Sequence, residues 1–228
     1  MRVRRVVDLS HTVGAMTPVY PGDPEPSVTP VATIAADGYN LAHVAMGSQS
    51  GTHADAPFHF DDAGTRVDAV PLEVCCGPGV IVDVIGLEPR QPIVWSDLAP
   101  TLDGIPPGTI VLLRTGWSLH YGTPTYFDHP YLAGDAAEIL VRAGVRCVGI
   151  DAPNLDETPD ATHPGGSWPV HRTFAAADGV LVENLCRLEE VDFVDPLISV
   201  LPLKLDGADG APVRAAALEI SVAGDPAE

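Results

Sequence analysis

Residues 48 to 60 read Ser-Gln-Ser-Gly-Thr-His-Ala-Asp-Ala-Pro-Phe-His-Phe, which places His53, Asp55 and His59 within seven residues. In an extended backbone, side chains two positions apart point to the same side, so His53 and Asp55 can converge on one cation. Gly51 permits a close turn before them, and Pro57 ends any strand pairing after them. The stretch therefore predicts a fixed loop that carries a metal site.

Each of the three side chains also has an ordinary structural interpretation when it is taken alone. His53 can cap backbone groups, Asp55 can support a turn, and His59 can be a half-buried polar residue. Taken together, three potential ligands in a rigid loop of small residues lower stability unless a cation or a substrate offsets their desolvation. The combination favours a functional site.

Composition excludes several classes of protein. The chain has 228 residues, with 12 Lys and Arg against 31 Asp and Glu, and its formal net charge of −19 repels nucleic acids and anionic lipids. No apolar run approaches the roughly 20 residues that a membrane crossing needs. The four cysteines show no C-x-x-C spacing and read as buried, unreactive thiols. We expect a soluble, cytoplasmic protein.

Short β-branched runs bounded by Gly or Pro dominate the rest of the chain. They predict strands over Val3 to Leu9, Val80 to Ile85, Thr109 to Arg114, Val145 to Asp151, Val180 to Glu183, Leu197 to Leu205 and Ala215 to Val222. Helical spacing predicts Gly134 to Ala143, Asp97 to Leu102 capped by Ser96, and Val170 to Ala177. With no G-x-G-x-x-G motif or phosphate loop, we expect a mixed α/β fold. We expect a single domain over residues 1–228, with a curved, barrel-like β core surrounded by short helices.

The run from Gln49 to His59 resembles the H-x-G-T-H-x-D-x-P-x-H signature of the cyclase-like metal-dependent hydrolases, which include the bacterial kynurenine formamidases. Other segments are similar to that family as well: Asp8-Leu9-Ser10, Thr17 to Asp23, Gly149 to Asp156, Val170-His171-Arg172, Glu183-Asn184-Leu185, Leu201 to Lys204 and Pro212-Val213-Arg214. The resemblance covers nearly the whole chain.

The resemblance implies a role for several residues. His53 and Asp55 would bind metal, with Asp55 able to bridge two ions, and His171 and Glu183 would be the distant ligands. His59 would be the catalytic proton carrier, and Tyr20 would stack on a substrate ring. The family also implies one or two divalent ions per chain, zinc or manganese, and a homo-oligomer, either a dimer or a tetramer.

The same residues can be read without the family. His171 alone is typical of a surface or capping histidine, and Glu183 ends an apolar run where it faces either solvent or a cation. Tyr20 can belong to a Pro-Tyr-Pro packing cluster. Phe58, Phe60 and Trp117 can line a pocket or pack in the core.

Gln49 departs from the signature, because it stands where the family has its first histidine. A neutral carboxamide oxygen binds a transition ion less tightly than imidazole does. If Gln49 is a ligand, the chain holds one metal instead of two, prefers manganese to zinc, or has moved to another reaction. His163 or His43 could instead supply a replacement ligand from a neighbouring loop.

The leading functional hypothesis is a metal-dependent amidohydrolase that acts on an aryl formamide such as N-formylkynurenine, or on a related cyclic amide. A divalent ion makes such hydrolysis feasible at neutral pH, and no G-x-S-x-G motif offers a nucleophilic serine. A biosynthetic cyclase acting on a polyketide-like intermediate is the second hypothesis. A binding protein without a working metal site is the third.

Overall fold

The computed structural model describes residues 2–221 of the chain. Its strands are β1 (Arg2–Asp8), β2 (Ser27–Ala32), β3 (Leu41–Ala45), β4 (His53–Asp55), β5 (Cys76–Asp83), β6 (Pro92–Ile93), β7 (Ile110–Arg114), β8 (Tyr131–Leu132), β9 (Cys147–Ile150), β10 (Val180–Glu183), β11 (Leu197–Ser199), β12 (Gly210–Pro212) and β13 (Ala216–Ser221). Its helices are α1 (Ile34–Asp37), α2 (Leu72–Cys75), α3 (Trp95–Leu102), α4 (Gly134–Arg142) and α5 (Pro169–Ala175). Short 3-10 turns cover Pro57–His59, Val67–Ala69, Trp117–His120, Pro124–Asp128 and Leu188–Glu190.

Nine of these strands form one mixed sheet in the order β1-β13-β11-β5-β7-β9-β10-β4-β12. The four central strands, β5, β7, β9 and β10, run parallel, and the strands on both sides of them pair antiparallel. The mixed α/β class is confirmed. Over the described residues the sheet is open, with β1 and β12 at its edges, and it does not close into a barrel.

Three of the central strands, β7, β9 and β10, are buried on both faces, as parallel strands generally are. In β7, Val111 and Leu113 pack into a core cluster with the helices α3, α4 and α5. Ile110 and Leu112 point to the other face and pack into a second cluster. The two cores hold the carboxyl ends of β9 and β10 rigidly, and ligand sites of open α/β sheets lie at such ends.

The structure corrects several predicted boundaries. The strand predicted from Leu197 to Leu205 ends at Ser199, because Pro202 has no N–H to donate and forms only an isolated bridge to Val213. The strand predicted from Val80 begins at Cys76, where Gly and Pro residues hide it. The final predicted strand begins at Ala216, and its last residue, Val222, lies outside the described residues.

Helix α3 begins two residues earlier than expected, at Trp95. Ser96 lies inside the first turn and is not the cap; the Asp97 carboxylate instead accepts a hydrogen bond of 2.9 Å from the backbone N–H of Val94. Helices α4 and α5 lie where predicted, and both end slightly earlier.

All four cysteines are free thiols. Three of them are buried as expected, whereas Cys76 is half-buried. Burial raises the pKa of Cys75 to about 12, which keeps that thiol protonated and unreactive. Among residues 2–221, every helix is too short or too polar to cross a bilayer.

Candidate metal centre and active site

Four buried side chains meet where β4 pairs with β10. His53 and Asp55 lie on β4, and the register pairs His53 with Glu183 at the end of β10. The fourth, His171, comes from the first turns of α5. All four are 3–5 % exposed. The four candidate ligands therefore lie together, although they come from two distant parts of the chain.

Imidazoles and carboxylates alternate around this centre. Nε2 of His53 lies 3.3 Å from Asp55 Oδ1 and 3.5 Å from Glu183 Oε2. Nε2 of His171 lies 3.3 Å from Asp55 Oδ2 and 3.5 Å from Glu183 Oε1. Each carboxylate thus turns one oxygen to each imidazole, an arrangement in which it can bind one ion or bridge two.

The outer nitrogens of both imidazoles are held by acceptors. Nδ1 of His53 donates to the carbonyl oxygen of Gly51 at 2.8 Å, and Nδ1 of His171 donates to Asp156 Oδ2 at 2.7 Å. Neither acceptor can donate in return, so Nδ1 carries the hydrogen and Nε2 presents its lone pair to the centre. This is the tautomer that a metal-binding histidine requires.

Asp156 also anchors the helix that carries His171. Its carboxylate accepts hydrogen bonds of 3.0 Å from the backbone N–H groups of Val170 and His171. Glu183 is fixed as well, because its Oε1 accepts a hydrogen bond of 2.9 Å from the N–H of Leu155. Both supports come from the loop after β9, in the stretch from Gly149 to Asp156.

The centre attracts positive charge. Burial lowers the pKa of His53, but the carboxylates of Asp55 and Glu183 outweigh burial and raise this pKa well above its ordinary value. Burial also lowers the pKa of His171, but the hydrogen bond to Asp156 and the nearby carboxylates of Asp55 and Glu183 outweigh burial and raise it to about 10. A proton and a metal ion compete for the same lone pair, so these shifts mark a place where a cation is stabilised.

The donor set fits a divalent cation. Both carboxylate oxygens of Asp55 are buried, and neither has a hydrogen-bond partner among the described residues. A buried, unpartnered carboxylate costs free energy that a bound ion recovers. Imidazole and carboxylate together suit zinc or manganese. We find that the residues present fit such an ion.

His59 lies at the edge of this centre on the 3-10 turn after β4. One of its ring nitrogens lies within 4.8 Å of ligand atoms of Asp55 and His171. Burial lowers the pKa of His59, but the hydrogen bond to Asp209 and the charge of Asp55 outweigh burial and raise it. The raised pKa favours the protonated ring, which can donate a proton.

A cavity of about 300 Å³ opens onto the centre. Aromatic rings form much of its wall, and they belong to Tyr20, Phe60, Tyr126, Phe127 and Trp168. The ring centroids of Phe60 and Trp168 are 5.8 Å apart, and those of Tyr20 and Trp168 are 6.4 Å apart. Tyr20 therefore lines the cavity, whereas Phe58 packs under Arg66 and Trp117 belongs to the core.

Gln49 lines the same cavity, and its Nε2 donates to Asp209 Oδ2 at 2.8 Å. Neither proposed replacement ligand is at the centre. His163 contacts Asp160 on an exposed loop, and His43 lies on exposed β3. The alternative that His163 or His43 supplies a replacement ligand is therefore wrong, because neither residue lines the cavity.

Sequence reasoning missed three residues of the site. Asp209 stands in Asp-Gly-Ala-Asp-Gly, which reads as a turn, and its bond to His59 spans 150 positions. Trp168 follows an irregular stretch, and its backbone adopts a left-handed φ of 51°. Asp156 ends the stretch from Gly149 that resembles the family, and the resemblance implies no role for it.

The fold is a mixed α/β sheet with a buried His-Asp-Glu centre near the ends of its parallel strands. This centre can bind a divalent cation, and it lies beside an aromatic cavity. The chain belongs to the Cyclase family, whose model matches residues 7–157.

Solved structures agree with this assignment. Isatin hydrolase A from Ralstonia solanacearum is 25 % identical, with a TM-score of 0.84 over 94 % of this chain and 91 % of its own. A predicted metal-dependent hydrolase from Bacillus stearothermophilus is 29 % identical, with a TM-score of 0.74 over 94 % and 98 %. Isatin hydrolase A from Labrenzia aggregata, bound to benzyl benzoate, shares the fold at 23 % identity, with a TM-score of 0.82 over 94 % and 93 %.

Proposed function

We propose that this protein is a metal-dependent amidohydrolase that cleaves the C–N bond of an aryl amide. The observation that carries the proposal is the cluster of His53, Asp55, His171 and Glu183 at the end of an aromatic cavity. Both Asp55 oxygens in it lack hydrogen-bond partners among the described residues. We assign these four residues as ligands of one or two zinc or manganese ions. Gln49 is the fifth candidate ligand.

A bound divalent ion polarises an amide carbonyl and lowers the pKa of a bound water, which allows hydrolysis at neutral pH. Nε2 of His59 can hold the proton that the leaving nitrogen needs when the C–N bond breaks. The rings of Tyr20, Phe60 and Trp168 offer faces on which the aryl group of the substrate stacks. They also exclude water from the far side of that group.

Between the two kinds of substrate, the cavity favours a neutral cyclic amide such as isatin. Its volume of about 300 Å³ is at the lower end of ligand pockets, which suits one or two fused rings. The residues that line it include Asp23 and Glu183 but neither Lys nor Arg. A substrate carboxylate would therefore meet no Lys or Arg side chain among the described residues of the cavity wall. The isatin hydrolases among the similar structures support the same choice.

N-Formylkynurenine is the second candidate, and one observation favours it. The carboxylate of Asp23 lines the cavity near Tyr20 and can pair with the ammonium group of that substrate. Tryptophan catabolism would then be the setting of the reaction.

We also place the enzyme in the cytoplasm, because its four cysteines remain free thiols.

The test uses purified protein that is stripped with a chelator and reloaded with zinc or manganese. We expect ring opening of isatin, which is monitored as the loss of its visible absorbance. We expect a slower release of kynurenine from N-formylkynurenine. Loaded protein that turns over neither substrate contradicts the proposal. Metal content below about one ion per chain after reloading would contradict the assigned centre.

The matched variant is His59→Ala. Removing the proton carrier should lower kcat by roughly 100-fold or more, while the bound metal, measured by elemental analysis, stays unchanged. If metal is lost together with activity, His59 is a ligand and its assigned role is wrong.

A further inference from the structure

One carboxylate outside the metal centre contacts both residues whose roles are hardest to assign. Oδ2 of Asp209 accepts a hydrogen bond of 2.9 Å from His59 Nδ1 and one of 2.8 Å from Gln49 Nε2. Oδ1 accepts a third hydrogen bond of 2.8 Å from the hydroxyl of Ser48. Asp209 directly precedes β12, which pairs with β4, the strand of the metal centre.

For His59, this contact fixes which nitrogen reacts. An ionised carboxylate has no hydrogen to give, so Nδ1 of His59 must carry the hydrogen that the bond uses. Nε2 is then the nitrogen left free for proton transfer. The same bond holds the plane of the ring, because Nδ1 cannot leave Asp209 without breaking it. His59 therefore enters the site with one tautomer and one orientation.

For Gln49, the same contact fixes the amide. Its nitrogen must face Asp209, because the oxygen would meet a negative charge there. Oε1 is then turned away from Asp209, and it is buried without a hydrogen-bond partner among the described residues. Buried carbonyl oxygens normally accept a hydrogen bond or bind a cation, so this oxygen is available to a ligand.

The neighbouring glycine makes room for this amide. A Cβ atom built on Gly210 would lie 2.8 Å from both Nε2 and Oε1 of Gln49, and 2.7 Å from the carbonyl oxygen of Ala54. Any larger residue at position 210 would push the amide away. The pair Asp209-Gly210 thus provides both the acceptor and the space that set the orientation of Gln49.

We propose that Asp209 is a positioning residue that orients two side chains at once, directing Nε2 of His59 toward the substrate and Oε1 of Gln49 toward the cation. Gln49 is thereby prepared to act as a ligand where the family has histidine. The kinetic part of this inference rests on the proposed hydrolase function. The tautomer of His59 and the affinity for zinc do not depend on it.

The first test reads the tautomer of His59 directly. A long-range ¹H–¹⁵N spectrum is recorded at alkaline pH, where the ring is neutral, on the protein as purified and after zinc loading. His59 is assigned among the eight histidines with a His59→Gln variant. We expect the hydrogen on Nδ1. A hydrogen on Nε2 in the unchanged protein overturns the proposal, whether or not the protein hydrolyses any amide.

The second test removes the negative charge with Asp209→Asn. We expect the Nδ1–H tautomer to lose its dominance, and kcat on isatin to fall roughly 10- to 100-fold with KM changed less than about threefold. Zinc affinity, measured by chelator competition, should fall by a similar factor because the Gln49 amide is free to rotate. Unchanged zinc affinity overturns the Gln49 part, and an unchanged tautomer overturns the His59 part.

Two further variants separate positioning from folding. Asp206→Asn removes an exposed carboxylate from the same loop and should change none of these readouts. Asp209→Glu keeps the charge, so it should recover part of the Nδ1–H tautomer and of kcat. If Asp209→Glu behaves like Asp209→Asn in both readouts, the carboxylate is not what orients His59.

Discussion

Three imidazoles at the site share one arrangement. Nδ1 of His53 donates to a backbone carbonyl, Nδ1 of His171 donates to Asp156, and Nδ1 of His59 donates to Asp209. All three acceptors are fixed by the fold, so each ring keeps the same tautomer. The rings differ in what surrounds Nε2, because two face the ligand carboxylates and the third lies beside them. In the proposed function, equivalent hydrogen bonds therefore orient both the two metal-binding imidazoles and the proton carrier.

A fourth histidine has a structural role, and its protonation predicts a pH dependence. Burial, reinforced by the charge of Arg90, lowers the pKa of His129 to about 4. Its two nitrogens lie 2.8 Å from the carbonyl oxygen of Pro130 and 2.8 Å from the hydroxyl of Thr158. As the pH falls below the ordinary pKa of about 6.5, the unfolded chain takes up a proton that the folded chain refuses.

The folded protein should therefore lose stability as the pH falls from about 6.5 to about 4, by up to about 3 kcal/mol from this residue. His129→Asn should be less stable at pH 7.5, yet its free energy of unfolding should fall less steeply with pH. Urea unfolding at several pH values measures both slopes. His163→Asn, at an exposed position, should keep the slope of the unchanged protein. Equal slopes for His129→Asn and the unchanged protein would contradict this assignment.

At the scale of secondary structure, the hairpin of β2 and β3 stands apart from the main sheet. It forms a separate two-stranded sheet, and every residue of β3 is exposed. Its exposed apolar side chains are Val28, Val31, Leu41 and Val44, with Ile34 and Tyr39 between the strands. An isolated hairpin is at best marginally stable in water, so a surface that covered this one would stabilise it.

We propose that a second copy of the chain covers the hairpin. From Ser27 to Ala45, Asp37 and His43 are the residues with acidic or basic side chains, in a protein whose net charge is −19. Two copies repel each other through most of their surfaces, and an apolar hairpin with a single carboxylate is where that repulsion is weak.

Light scattering during size exclusion should therefore give a mass of at least twice 23.9 kDa. Val44→Glu should shift the protein toward the monomer by placing a charge in the interface. Leu119→Glu changes an equally apolar and more exposed residue outside the hairpin, and it should leave the mass unchanged. A monomer at all concentrations of the unchanged protein contradicts the proposal.

Sequence reasoning succeeded for elements whose pattern is local. The strand at Val180–Glu183 and the helix beginning at Gly134 follow from apolar spacing alone. It missed β4 and β12, because three residues are too few to show alternation and their pairing depends on distant strands. The approach of Asp209 to His59 is a consequence of that pairing. Two candidate ligands, His53 and Asp55, follow from local spacing, and the family resemblance implies His171 and Glu183. The sheet register explains why His53 and Glu183 converge.

At the scale of the whole molecule, the excess of acidic residues acts on the substrate. With 31 Asp and Glu against 12 Lys and Arg, the surface repels anions, and the cavity wall contains no Lys or Arg to reverse that effect locally. Neutral isatin is unaffected by this field. An anionic aryl formamide such as 2-formamidobenzoate must approach against it.

The ionic strength should therefore affect kcat/KM differently for the two substrates. Raising the ionic strength from 10 mM to 0.1 M shortens the screening length from about 30 Å to about 10 Å, which weakens repulsion between exposed charges. We expect kcat/KM for 2-formamidobenzoate to rise severalfold over this range, while kcat/KM for isatin stays constant, both measured by initial rates on the zinc-loaded enzyme. Screening weakens attraction as well as repulsion. A fall in kcat/KM for the anionic substrate would therefore mean that a cationic group, contributed by a partner copy or by the metal, dominates the entrance of the cavity.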